Sequence, residues 1–154
     1  MKILICRVSK GGCAWADEAV AVWLKRMSRP VTIEERLFRP EPERGSLSVR
    51  RERETEKVLS ALTRGDRLVV LDERGTGRTT EAFSGWIRQS MNHSVKRMVF
   101  AVGGPFGHAQ SMRDQAWKVL ALSPMVLNHE LARIMLVEQL YRSHNLIWGG
   151  GYHH

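Results

Sequence analysis

The sequence predicts a single α/β domain whose sheet is mostly parallel and carries helices on both faces. Apolar, β-branched runs predict strands at residues 2–8, 31–38, 67–72 and 96–102, and a short fifth strand at residues 124–127. Helical periodicity lies between them, at residues 16–27 and 80–91. Strands that alternate with helices are typical of parallel sheets. A length of 154 residues with 43% hydrophobic residues suits one core, so we expect one domain over residues 1–154.

The segment between the second and third predicted strands, residues 39–65, begins with prolines and continues with dense mixed charge. This pattern predicts a loop followed by a surface helix. The helix carries a basic cluster, Arg50, Arg51 and Arg53, which either contacts phosphate or belongs to a solvated face. The interleaved glutamates favour the solvated face.

The last helix has unusual composition. Asn128 is a good N-cap for a helix that begins at His129 and continues to about His144. Apolar side chains surround this helix almost completely, which predicts burial on two sides, and a second copy of the chain is a plausible cover. Within it, Glu138 and Arg142 form either a buried ion pair or the polar wall of a site at a subunit junction.

Composition narrows the class of protein. There are 24 Lys and Arg residues against 16 Asp and Glu, and the resulting net charge of +8 favours a polyanionic partner. The only cysteines, Cys6 and Cys13, support neither a disulfide framework nor a zinc site. No apolar run reaches the roughly 18 residues of a membrane span, and the first residues are too short an apolar run for a signal peptide. We therefore expect a soluble cytoplasmic protein without a metal.

Two glycine-rich segments follow predicted strands, "ERGTGRTT" at residues 73–80 and "GGPFGH" at residues 103–108. Both would lie at the carboxyl edge of the sheet, where α/β proteins bind ligands. The first is not a nucleotide-binding P-loop, because Asp72 and Arg78 occupy the positions of the required glycine and lysine. The second matches a dinucleotide-binding fingerprint only in part. The sequence therefore predicts a pocket for another ligand, with ordinary tight turns as the alternative.

Several motifs in fixed order carry a family resemblance. They are "VLDERG", "FAVGGPFG", "LALSPMVLNHELARIMLVEQLYR" and the ending "YHH". Together they resemble the SPOUT-class methyltransferases, specifically the ribosomal RNA large-subunit methyltransferase H family. The resemblance extends from the first strand to the last residue and is strongest after Lys96.

The resemblance implies a C-terminal trefoil knot, a homodimer and S-adenosylmethionine as cofactor. It also implies the reaction, methylation of the N3 ring nitrogen of a pseudouridine in 23S ribosomal RNA of the assembled ribosome. The residues that it implies for cofactor binding are Leu71, Gly103, Gly104, Ser123, Pro124, Met125, Val126, Leu127 and Asn128.

The C-terminal tail, residues 149–154, carries the mechanistic hypothesis. We expect "GGGYHH" to fold over the cofactor pocket, with Tyr152 contacting the target base and His153 assisting proton removal or orienting the base. His129 is a rival base, although its place at a helix start favours a structural role. Arg142 is the second catalytic candidate, with the ion pair to Glu138 as its alternative.

Four further residues are candidate contacts with the RNA substrate: Arg74, Arg78, Arg133 and His154. For Arg133, a structural salt bridge is an equal alternative. The chain also departs from the family pattern, since Asn128 and Gly151 stand where the family usually has proline. The competing functions are a ribosome-binding or RNA-binding protein without catalysis, and a methyltransferase with another RNA acceptor or a small-molecule acceptor.

Overall fold

A computed structural model describes residues 1–27 and 31–149. It contains five strands: β1 (Lys2–Val8), β2 (Thr32–Phe38), β3 (Arg67–Gly77), β4 (Arg97–Val102) and β5 (Lys118–Ala121). Five helices accompany them: α1 (Ala14–Arg26), α2 (Leu47–Leu59), α3 (Thr80–Asn92), α4 (Gln110–Asp114) and α5 (His129–Trp148). The order of elements confirms the predicted alternation of strands and helices.

The five strands form one sheet in the order β2-β1-β4-β3-β5, and every pair of neighbours is parallel. Helices α1, α3 and α5 pack on one face, where Val20, Phe83 and Leu136 join the core around Phe100. The other face carries α2 and α4, whose Val58 and Met112 belong to a second core cluster. The parallel sheet with helices on both faces is thus confirmed, whereas the knot and the single domain stay predictions.

The fifth strand differs from the predicted one. It runs through Lys118–Ala121, where Leu120 pairs with Leu71 of β3. The predicted strand at residues 124–127 is wrong, because Met125 and Val126 are 73% and 81% exposed and lie in a loop. Apolarity alone could not separate the two runs, since both are short and only one has a partner strand.

Strand β3 continues well past the residue where the prediction ended. After Asp72 it passes through an irregularity and pairs again with β5, Thr76 against Leu120 and Gly77 against Ala121. A Cβ atom on Gly75 would lie 2.7 Å from the carbonyl oxygen of Val119, so only glycine permits this approach. The first five of the eight residues of the predicted glycine loop are therefore strand.

Helix α5 begins as the sequence predicts. The Oδ1 atom of Asn128 accepts a hydrogen bond of 2.8 Å from the backbone N–H of Glu130, which confirms the N-cap. The helix continues to Trp148, one turn further than predicted, and ends at Gly149 with φ of 83°. Its buried face packs on α1 and α3, whereas Leu131 and Met135 remain exposed. The apolar helix is thus covered on one side by its own chain.

Candidate functional site

A cavity of about 390 Å³, the first cavity, lies beside the middle of β3, where β4 and β5 end and α5 begins. Apolar side chains form much of its wall, including Leu71, Val102, Leu120 and Leu122. Backbone of the Gly103–Gly104 segment and of the loop after β5 supplies polar groups. The volume and the mixed wall are typical of a small-molecule site.

The glycines at the end of β4 allow a tight turn beside this cavity. The N–H of Gly107 donates to the carbonyl of Gly104 at 3.0 Å, and Gly107 has φ of +71°. A Cβ atom on Gly103 would lie 3.1 Å from the Cα of Gly107. Larger residues would therefore displace the turn, whose tip is formed by Pro105 and Phe106.

Asp72 anchors the wall of the first cavity at the end of the first part of β3. Its carboxylate accepts hydrogen bonds from Arg74 at 2.8 Å and from Arg113 at 2.8 Å. Burial opposes its ionisation, but these bonds outweigh that effect and lower the pKa of Asp72 to about 2. Asp72 is thus a charged structural group at neutral pH, and its pairing with Arg113 was not foreseen from the sequence.

His108 follows the glycine turn and is buried. Burial lowers its pKa to about 4, so the ring is neutral at pH 7. Its Nε2 atom lies 3.2 Å from the carbonyl oxygen of Ala101, which assigns the proton to Nε2. His108 therefore braces the turn and is poorly suited to act as a base.

A buried charge network ties the start of α5 to β1 and β2. Glu130 accepts from Arg7 at 3.1 Å and from Arg133 at 3.2 Å, and Arg133 also bonds Glu35 and Asp17. Burial alone would lower the pKa of Arg133, yet its carboxylate partners raise it. These contacts favour the salt-bridge alternative for Arg133, because its guanidinium is paired with three carboxylates and the residue is only 3% exposed.

The structure brings together seven of the nine residues predicted for the cofactor in the wall of the first cavity. They are Leu71, Gly103, Gly104, Ser123, Met125, Val126 and Leu127. Pro124 is outside the lining, and Asn128 lines a neighbouring cavity instead.

The remaining predicted residues lie in different surroundings. Arg74 borders the first cavity, while Arg78 lies with its guanidinium 5.4 Å from the ring centroid of Trp86. Arg142 is partly buried on α5 and forms an ion pair with Glu138, which favours the ion-pair alternative. The predicted tail residues, Tyr152, His153 and His154, lie outside the described residues.

A second cavity of about 720 Å³ adjoins the first. Among the described residues, the two share only Pro105, Phe106 and His129, so the glycine turn and the first residue of α5 separate them. Trp15 and Arg50 lie in the outer wall of the second cavity. His129 touches both spaces, and its Nε2 atom lies 3.6 Å from a carboxylate oxygen of Glu130.

No group of three or more His, Cys, Asp and Glu side chains within residues 1–27 and 31–149 could hold a metal ion. None of the helices in the same ranges is long and apolar enough to cross a membrane.

A parallel sheet whose carboxyl edge forms a glycine-bordered cavity beside a long C-terminal helix defines a class of α/β ligand-binding domains. A family model described as "Predicted SPOUT methyltransferase" matches residues 1–153, so the chain is a methyltransferase of the SPOUT class.

Comparison with individual proteins narrows the class. The chain is 35% identical to "Ribosomal RNA large subunit methyltransferase H" of Geotalea uraniireducens, over 100% of both chains. The protein of the same name from Cytophaga hutchinsonii is 33% identical over 100% of both chains, and that from Phocaeicola vulgatus is 40% identical over 71% of this chain and 69% of its own. The chain therefore belongs to the ribosomal RNA large subunit methyltransferase H family.

Proposed function

We propose that this protein transfers a methyl group from S-adenosylmethionine to the N3 ring nitrogen of a pseudouridine in 23S ribosomal RNA of the assembled ribosome. The observation that carries the proposal is the first cavity, where residues of three separate segments predicted to hold the cofactor lie together. Likeness over the whole chain to proteins named for ribosomal RNA methylation supports the choice of substrate. A ribosomal substrate in turn favours the cytoplasm.

The donor groups of the first cavity fit S-adenosylmethionine. Apolar side chains such as Leu71 and Leu120 offer a surface for adenine, and backbone groups beside Gly103 can bond its edge. Glu73 and Arg51 supply both signs of charge for the amino and carboxylate groups of the methionine part. When bound, the cofactor supplies an electrophilic methyl group on a sulfonium.

The protein's own task is to place the target base and remove its proton. N3 of pseudouridine carries a hydrogen, so a base must accept that proton as the nitrogen forms its bond to the methyl carbon. We assign the removal of this proton to His153, whose alternative role is to orient the target nucleobase. We assign contact with the pseudouridine ring to Tyr152. His129, at the wall of the first cavity, is the rival base. Arg74, Arg78 and His154 are the proposed RNA contacts, and Arg142 the proposed stabiliser of the ring anion.

We also propose that the working form is a homodimer. The loop residues Met125 and Val126 and the helix residues Leu131 and Met135 are exposed apolar side chains near the start of α5. Exposed apolar side chains grouped in one segment of the chain are typical of subunit contacts. A second copy would cover the side of α5 that this chain leaves open.

The decisive test is transfer of labelled methyl to ribosomes that lack the modification, with the acceptor mapped by mass spectrometry. We expect one methyl group on a pseudouridine of the large-subunit RNA. Cofactor binding measured by calorimetry without any transfer would instead support a ribosome-binding or RNA-binding protein that lost catalysis. Transfer to a different RNA would retain the enzyme class and change the substrate.

Removal of residues 152–154 tests the assignment of the tail. We expect methyl transfer to fall at least about 100-fold, because general base catalysis contributes factors of this size, while cofactor affinity stays within about two-fold. The matched comparison is His129→Ala in the full chain. A truncated protein with full activity, or a larger loss from His129→Ala than from the truncation, would move the base to His129.

A further inference from the structure

Two exposed aromatic rings line the second cavity. Trp15 at the start of α1 is 54% exposed and Phe106 at the tip of the glycine turn is 42% exposed. Every other Trp, Tyr and Phe of the described residues is buried or half-buried. Both rings line the same cavity, so they offer a planar apolar partner a place to stack.

Cationic side chains accompany these rings. The guanidinium carbon of Arg50 lies 5.0 Å from the ring centroid of Phe106, and its Nε atom is buried without a hydrogen-bond partner among the described residues. Lys10, exposed after β1, lies in the same wall. The next residue of α2, Arg51, lines the first cavity instead. Helix α2 therefore directs one arginine to each cavity. The sequence-based expectation that Arg50 and Arg51 belong to a solvated helix face is thus wrong for these two residues.

The carboxylates of the second cavity are mostly engaged. Glu130 is bonded to Arg7 and Arg133, and Glu41 forms an ion pair with Lys57. Glu54 accepts a hydrogen bond of 2.8 Å from the backbone N–H of Glu41. Glu43, which is exposed, and Glu54, whose hydrogen-bond partner is neutral, bear the charges that would repel an anion. A phosphate group is accordingly favoured at Arg50 and Lys10, away from Glu43.

We propose that the second cavity binds the nucleotide next to the methylated one in the substrate RNA. Its base stacks on Trp15 and Phe106, and its phosphate contacts Arg50 and Lys10. Stacking suits single-stranded RNA, whose bases are free to leave their helix. The inference rests on the proposed function, because the first cavity must hold the reacting centre for the adjoining space to meet a neighbouring nucleotide.

Binding by the full-length protein tests the site directly. The indole N–H signal of Trp15, identified in an NMR spectrum by its loss in Trp15→Phe, should shift when a short single-stranded RNA is added. Trp15→Ala and Arg50→Gln should each weaken RNA binding about ten-fold, whereas Trp15→Phe should retain most of it. Arg50→Gln should also lower the slope of log affinity against log salt by about 0.7, since one phosphate contact is lost.

Arg53→Gln is the matched control, because Arg53 lies on the same helix with a 64% exposed side chain and does not line either cavity. Its loss removes one partner of Glu41, which stays paired with Lys57. It should bind RNA as the unchanged protein does. In methyl transfer to unmodified ribosomes, Trp15→Ala and Arg50→Gln should raise KM about ten-fold and leave kcat nearly unchanged, as expected for contacts made equally before and during the reaction.

The outcomes separate the two proposals. If Trp15→Ala and Arg50→Gln match Arg53→Gln in RNA affinity and in KM while the unchanged protein transfers methyl, the nucleotide site is overturned and the proposed function stands. If RNA shifts the Trp15 signal and the variants lose affinity but no ribosomal RNA is methylated, the RNA site stands and the proposed function fails. A loss of cofactor affinity in the variants would overturn the site, since the two cavities would then be one.

Discussion

At the scale of single residues, Asp72 shows how a charge can serve the site without taking part in chemistry. It lines the first cavity, but its carboxylate oxygens accept hydrogen bonds from Arg74 and Arg113. Arg113 also donates to the carbonyl of His108, the residue that braces the glycine turn. The carboxylate thus links the end of β4 to β3, and it does so only while it is ionised.

Replacement of Asp72 by Asn should reveal this linkage through pH. The pKa of Asp72 is about 2 in the folded protein against an ordinary value of 3.8, so its ionised form stabilises the fold above about pH 4 and this contribution is lost as the pH falls toward 2. We expect Asp72→Asn to reduce the free energy of unfolding at pH 7 by about 2 kcal/mol. Urea denaturation should show this gap shrinking between pH 4 and pH 2.

Asp114→Asn is the control for this experiment, because Asp114 is exposed and bonds only Gln110 among the described residues. It should change the free energy of unfolding by less than about 0.5 kcal/mol at both pH 7 and pH 2.5. A gap between Asp72→Asn and the unchanged protein that is the same at pH 7 and pH 2.5 would contradict the linkage.

Residue roles could be predicted only where the type of residue decides the role. Asn128 was predicted as a cap because its side chain suits that position locally. Arg133 could not be assigned, because its partners Glu35 and Asp17 lie 98 and 116 positions away in the sequence. A single sequence shows that a charge exists and leaves open which distant element neutralises it. The second cavity was missed for the same reason, since Trp15, Arg50 and Phe106 meet only in the fold.

At the scale of elements, the contact between β3 and β5 positions one wall of the first cavity. Leu71 and Leu120 are paired across the two strands and both line the cavity. The contact resumes at Thr76 after the irregularity, and the chain crosses closest at Gly75. The backbone of Val119 occupies the space where any side chain of residue 75 would begin.

Gly75→Ala should therefore damage both the sheet and the site. The added Cβ would meet backbone atoms at 2.7–2.9 Å, which no side-chain rotation relieves. We expect a loss of at least about 2 kcal/mol in the free energy of unfolding and weaker cofactor binding, measured by thermal denaturation and by calorimetry. Gly77→Ala, on the same strand with open space around it, should change stability by less than about 0.5 kcal/mol. Equal effects of the two variants would contradict the close approach.

Element prediction succeeded where pattern and burial coincide. Strands β1, β2 and β4 differ from the predicted ranges by at most one residue at an end. The apolar runs of β1 and β4 specify buried parallel strands, whereas β2 is an edge strand that is mostly exposed. The short run at residues 124–127 was wrongly predicted as a strand, because it is apolar but borders a cavity instead of a neighbouring strand. Helix α4 has five residues, too few to show a period.

At the scale of the whole molecule, one surface remains to be explained. Apolar side chains around the start of α5 face outward, although burial of each would stabilise the fold. They belong to the same loop and helix that border the first cavity. An interface placed there would couple assembly to completion of the site, because the partner would cover the loop after β5.

Leu131→Glu combined with Met135→Glu tests this coupling. Two carboxylates placed in an apolar interface would lose hydration without partners, so we expect dimer affinity to fall at least about 100-fold. Sedimentation equilibrium should show a folded monomer, and cofactor binding and methyl transfer should both weaken with it. Val49→Glu is the control, because Val49 is a comparably exposed apolar residue on α2, across the sheet from α5.

The comparison of assembly with binding decides between two arrangements. If the double variant is monomeric and binds cofactor normally, the interface and the first cavity are independent, and the partner contributes nothing to the cofactor site. If it remains dimeric, the apolar surface of α5 is not the interface. Only joint loss of the dimer and of cofactor affinity, with Val49→Glu unaffected, supports a site completed by a second copy. That result would also explain why the loop after β5 leaves Met125 and Val126 exposed in a single chain.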